Sequence, residues 1–156
     1  MMLIAGYATP PEEPAVLVSR SESLAARHLT PCGVGSMAWR VWGEDRPLVL
    51  LHGASGSWTH WIRNILPLAT CFRVFAPDMP GFGDSDLPPE PHTADGLAAE
   101  IASGLDVLVP PSLEFDIAGF SFGGIIARLR AARLGRDRQR GVRAQEVESP
   151  VRPLRW

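Results

Sequence analysis

One short stretch constrains this chain more than any other: Phe115-Asp116-Ile117-Ala118-Gly119-Phe120-Ser121-Phe122-Gly123-Gly124-Ile125-Ile126-Ala127. An apolar, strand-like run ends at Gly119, a serine sits between glycines two residues to either side, and an apolar, helix-like run begins at once. The pattern predicts a strand, a very tight turn and a helix. Gly119 to Gly123 fits G-x-S-x-G, in which the serine is held in a strained backbone conformation that lifts its hydroxyl above a sheet. Gly119 and Gly123 flank it because side chains there would collide across so sharp a turn. The turn also sets Ser121 at the start of a helix, whose free N–H groups can stabilise an oxyanion. The competing reading of the pentapeptide alone is a glycine-rich turn with a solvated serine.

The segments before it alternate between two periods. Thr9 to Pro14 is rich in Pro and Glu, so residues 1–18 are expected to form a flexible lead. Ser19 to Leu29 reads equally as an irregular strand or a short helix. Gly33-Val34-Gly35 reads as a hairpin turn into a half-buried strand over Ser36 to Trp42, where Met37, Trp39 and Val41 alternate. Leu48 to Leu51 is apolar throughout, as suits a strand buried on both faces. It runs into His52-Gly53-Ala54-Ser55-Gly56-Ser57, a loop of small residues. A helix is expected over Thr59 to Ala69 and a strand over Phe72 to Pro77, followed by the turn-rich Asp78 to Asp86. A second helix is expected over Ala94 to Val109, with Leu97, Ile101, Leu105 and Leu108 along one face. With the elbow strand and helix, the order is the β-α-β-α-β-α alternation of an α/β domain with a mostly parallel sheet.

Composition narrows the function classes. The 156 residues suffice for one modest domain. A formal charge of −2 points to neither a nucleic-acid binder nor a membrane-surface protein. Cys32 and Cys71 have no metal-ligand spacing and read as two reduced thiols, with a disulfide as the lesser alternative. No run approaches the ~20 apolar residues of a membrane span, and the N-terminus lacks the charged region of a signal peptide. The expected location is the cytoplasm, and no cofactor or metal motif is present.

Three segments stand together in order: Leu50-Leu51-His52-Gly53, Asp78-Met79-Pro80-Gly81-Phe82-Gly83-Asp84-Ser85, and Gly119-Phe120-Ser121-Phe122-Gly123-Gly124. As a set they resemble the α/β-hydrolase fold family, in its serine-nucleophile branch, over roughly Leu24 to Leu134. The resemblance implies a partial α/β-hydrolase fold whose domain occupies residues 19–134. It implies that Ser121 is a nucleophile toward a small-molecule acyl substrate, such as an ester or thioester, or toward a carbon–carbon bond as in some relatives. The serine argues against the dehalogenase branch, which uses Asp. By the same resemblance the backbone N–H groups of Phe122 and Ala54 form the oxyanion hole. His52, Gly53, Gly119 and Gly123 are then loop-shaping residues, and Asp78, Asp84 and Asp86 are turn formers. His52 also invites the role of general base, which its family match does not support. Trp58, His60 and Trp61 read either as a pocket entrance or as core.

The departure from the family lies after the elbow. The family's triad runs Ser, acid, His in chain order, whereas the last histidine here is His92. His28, His60 and His92 would each need an unrelated geometry to replace it. Charge changes as well: 6 Arg stand against 14 acidic residues from Met1 to Ala127, and 9 Arg against 3 acidic residues from Arg128 to Trp156. The chain has no lysine. Residues 135–156 are expected to be an Arg-rich irregular tail after a fold truncated at the elbow helix, as a shifted reading frame in G+C-rich DNA would give. A basic tail for an acidic partner is the other reading. An N-terminal half of this kind would leave Phe115 to Gly119 as an exposed sheet edge prone to aggregation. It would be either a serine hydrolase lacking its downstream acid and His or a catalytically inactive fragment or binding protein.

Overall fold

The computed structural model describes residues 12–134 and 142–147. The sheet contains β1 (Ala26–Cys32), β2 (Gly35–Trp42), β3 (Pro47–Leu51), β4 (Arg73–Pro77), β5 (Phe115–Phe120) and β6 (Val142–Val147), in the order β1-β2-β4-β3-β5-β6. β4, β3, β5 and β6 run parallel, while β1 and β2 are antiparallel additions at one side. The helices are α1 (Pro14–Leu24), α2 (Ile62–Leu68), α3 (Ala94–Leu108) and α4 (Phe122–Leu134), with a 3-10 turn over Trp58–Trp61.

The two faces of the sheet follow from the two-residue period of a strand. Val49 and Leu51 enter one buried cluster with Trp39, Phe75, Phe115 and Ile117, against Leu97, Ile101 and Leu105 of α3 and Ile126 of α4. Leu48 and Leu50 enter the other with Val74 and Ala76, against Trp58, Trp61 and Ile65. The uninterrupted apolar run of β3 is thus explained by helices on both faces, a three-layer α/β arrangement. Thr93 caps α3 by accepting the Gly96 N–H at 3.0 Å.

The structure corrects the expected loose lead and the expected irregular tail, and decides one open reading. Residues 14–18 belong to α1 and are not a loose lead: Pro14 stands at the helix start, where its missing N–H costs nothing. The helix is held by Trp42, whose indole N–H donates to the Ser21 carbonyl at 2.7 Å. Ser19 to Leu29 resolves into the end of α1 and the start of β1. Within the expected irregular tail, Val142–Val147 forms a parallel strand, so β5 is flanked by β3 and β6 and is not a bare edge. A short strand at the side of a sheet pairs through backbone groups and needs no apolar run, which is why Val-Arg-Ala-Gln-Glu-Val gave no strand signal. The remainder of the lead and tail, residues 1–11, 135–141 and 148–156, lies outside the described residues.

Candidate active site

The elbow has the backbone its sequence calls for. Ser121 has φ +53°, in the left-handed region that a residue with a Cβ rarely adopts. It is exposed and sits between the last residue of β5 and the first of α4. Its carbonyl accepts the N–H groups of Gly124 at 2.9 Å and Ile125 at 3.3 Å, which makes it the residue that opens the helix. A Cβ on Gly119 would strike the Gly123 carbonyl, and one on Gly123 would strike the carbonyls of Leu51 and His52. The elbow is therefore packed directly on the end of β3.

That contact brings two distant loops together. β3 and β5 pair in register from Leu48 with Asp116 to Leu51 with Gly119. Their carboxyl ends therefore deliver the His52–Ser57 loop and the Ser121 turn to the same place. A Cβ on Gly53 would touch the Phe120 ring at 3.0 Å. Phe122, as the first residue of α4, has no acceptor for its N–H within the helix. Ala54 is exposed, and among the described residues its N–H also has no acceptor.

His52 is fully buried and committed. Its Nε2 accepts the Met79 N–H at 2.8 Å, so the ring proton is on Nδ1, which donates to the Gly53 carbonyl at 2.7 Å. Burial lowers its pKa below the ordinary imidazole value. It is a neutral crosslink between the ends of β3 and β4. Asp78 is likewise occupied: its carboxylate accepts from the Trp58 N–H, the Asp84 N–H and the Arg40 guanidinium. Asp86 accepts the Ser36 N–H at 2.8 Å and Asp84 pairs with Arg40 at 2.7 Å. The Arg40 hydrogen bond, with further help from the charges of Arg40 and Arg27, holds the Asp84 carboxyl below its usual range despite partial burial. Trp58 and Trp61 are core.

Of the other histidines, His92 lies near Pro88 and Glu90, and His28 lies on β1, the outermost antiparallel strand. His60 packs beside Phe120. Among the described residues none is hydrogen-bonded to the Ser121 hydroxyl, and no group of three or more His, Cys, Asp or Glu is placed to hold a metal ion. No described helix is long and apolar enough to cross a membrane. A cavity of about 550 Å³ lined by Leu24, Val41, Trp42 and Arg73 opens at the opposite end of the strands from Ser121.

The sequence pattern of the alpha/beta hydrolase family matches residues 48–151, which span all three loops. The chain belongs to that family. Curated relatives include the soluble epoxide hydrolase of Corynebacterium sp. (strain C12), 37% identical over 89 residues, covering 54% of this chain and 29% of the relative. The pimeloyl-[acyl-carrier protein] methyl ester esterase of Vibrio campbellii is 30% identical over 93 residues, covering 59% of this chain and 34% of the relative. Among solved structures, an epoxide hydrolase without ligand superimposes with a TM-score of 0.69 at 29% identity, over 78% of this chain and 41% of that one. The alpha/beta hydrolase unit described here therefore spans less than half the length of these relatives.

Proposed function

We propose that Ser121 is the nucleophile of a serine hydrolase acting on an ester or similar small acyl substrate. The observation that carries this reading is the left-handed φ of +53° at Ser121, a serine held in strain at a strand-to-helix junction against the end of β3. The Ser121 oxygen attacks the acyl carbon, the carbonyl electrons move to oxygen, and the N–H groups of Phe122 and Ala54 hold the oxyanion. A donor of this kind lowers the barrier by about 3 kcal/mol. Collapse breaks the bond to the leaving oxygen, which takes up the proton that Ser121 gave up and departs as the alcohol. Water then cleaves the acyl ester on Ser121, releasing the acid and restoring the Ser121 hydroxyl. Gly53, Gly119 and Gly123 let the two loops meet, and His52 keeps the loop after β3 in shape.

The serine proton needs an acceptor, and among the described residues no histidine is hydrogen-bonded to the Ser121 hydroxyl. That observation favours a second reading, in which this chain keeps the nucleophile and oxyanion half of the site but does not turn substrate over. A fluorophosphonate separates the two when combined with an ester assay and Ser121→Ala as control. Labelling with turnover supports the hydrolase, and labelling without turnover supports a half-site lacking its base. Absence of any Ser121-dependent reaction in folded protein sinks the nucleophile assignment.

A further inference from the structure

We propose that His60 is a positioning residue that ties the loop after β3 to the Ser121 turn and thereby aims the Ala54 N–H. The inference rests on the reading of Ala54 as an oxyanion donor. His60 stands in the 3-10 turn that follows this loop, and its Nδ1 accepts the Gly53 N–H at 3.2 Å. An acceptor at Nδ1 places the ring hydrogen of the neutral imidazole on Nε2. The same ring meets Phe120, the residue before Ser121, edge-on at 5.7 Å between centroids and 80° between planes. It meets His52 at 6.0 Å and 89°. One side chain therefore touches both segments that carry the oxyanion donors.

The glycine pattern fits that role. A Cβ on Gly56 would run into the His60 imidazole, so glycine at this position is what lets the ring seat against the loop. The Ala54 N–H shares a peptide plane with the Gly53 carbonyl, which accepts the His52 Nδ1–H at 2.7 Å and the Gly56 N–H at 3.2 Å. The His60 bond fixes the peptide unit before it, so the three bonds together remove the freedom that Gly53 and Gly56 give the loop. Gly53 is buried, and its N–H would lose its partner without the imidazole. The bond occupies the Gly53 amide, and the next amide, Ala54, is exposed and has no acceptor among the described residues.

Three variants separate the hydrogen bond from the packing. His60→Phe keeps a ring against Phe120 without an acceptor, His60→Asn keeps an acceptor near the Nδ1 position, and His60→Ala removes both. Amide hydrogen exchange measured by NMR is expected to rise at least tenfold at Gly53 in His60→Phe and His60→Ala, with the Ala54 resonance displaced. His60→Asn is expected to stay near wild type. Fluorophosphonate labelling of Ser121 is expected to slow by a similar factor in His60→Phe and to recover in His60→Asn. Unchanged Gly53 exchange in His60→Phe, or His60→Asn as impaired as His60→Ala, overturns the proposal. Wild type that fails to label while Gly53 follows the expected exchange pattern counts against the hydrolase reading and supports the tether.

Discussion

The Trp58 N–H donates to the Asp78 carboxylate at 2.9 Å, so the loop after β3 and the turn after β4 form one hydrogen-bonded unit. The other carboxylate oxygen accepts from Arg40 at 3.1 Å and from the Asp84 N–H at 3.0 Å. Arg40, itself only 4% exposed, pairs further with Glu22 of α1 and Asp84 and lies 4.8 Å over the Trp58 ring. The network thus ties α1 and the turn after β4 to the loop after β3.

Asp78→Ala leaves the buried Arg40 guanidinium without its most buried partner and strands two backbone N–H groups. A loss of about 3–5 kcal/mol is expected, because removing one partner leaves the other charge buried. Urea unfolding of the variant measures it, and a loss below about 1 kcal/mol would show that the network does not brace the fold.

His52 links stability to pH. Its folded pKa lies below the ordinary value of about 6.5 because burial disfavours the cation. In the interval between the two values the unfolded chain binds the proton and the folded chain does not, so stability rises with pH. The His52 contribution is complete above about pH 6.5 and erodes as pH falls from there toward the depressed folded value. Denaturation midpoints taken from pH 7.5 down to 5 should decline in wild type. The decline should be shallower in His52→Gln, which cannot titrate.

The strain at Ser121 predicts an inverted pair. Ser121→Gly, free to adopt positive φ, should be more stable than Ser121→Ala by about 1 kcal/mol. Both should lose reactivity. Thermal melts of the two variants decide it, and equal stabilities would contradict a left-handed conformation at this position.

Gly104 of α3 faces the sheet: a Cβ there would come within 2.7 Å of Trp39 and 2.8 Å of Met37 and the Thr30 hydroxyl. Trp39 has little room to yield, since its indole N–H donates to that hydroxyl at 2.9 Å. Alanine improves helix propensity by about 1 kcal/mol, yet overpacking of about 1–3 kcal/mol should outweigh it. Gly104→Ala is therefore expected to lower the urea midpoint.

What was legible in the sequence is what local chemistry dictates. Leu48 to Leu51 announced a doubly buried strand because nothing polar interrupts it, and Gly119 to Gly123 announced the elbow because only glycine tolerates such backbone contact. Arg40 was not legible as a buried residue. It alternates with Trp39 and Val41, which placed it on the open face of a half-buried strand. Its burial depends on Glu22 and Asp84, acids supplied by other segments. His60 gave no more signal than an aromatic near a loop, since its bond to Gly53 depends on the path of the intervening chain. β6 was missed because backbone pairing leaves little mark on composition.

The most direct test of the account is mass-spectrometric mapping of the adduct that a fluorophosphonate forms with the folded protein. The account expects the modification on Ser121, within the peptide that spans the elbow, and its disappearance in Ser121→Ala. An unmodified Ser121 in protein shown to be folded, or equal modification of the Ser121→Ala variant at another residue, would contradict it.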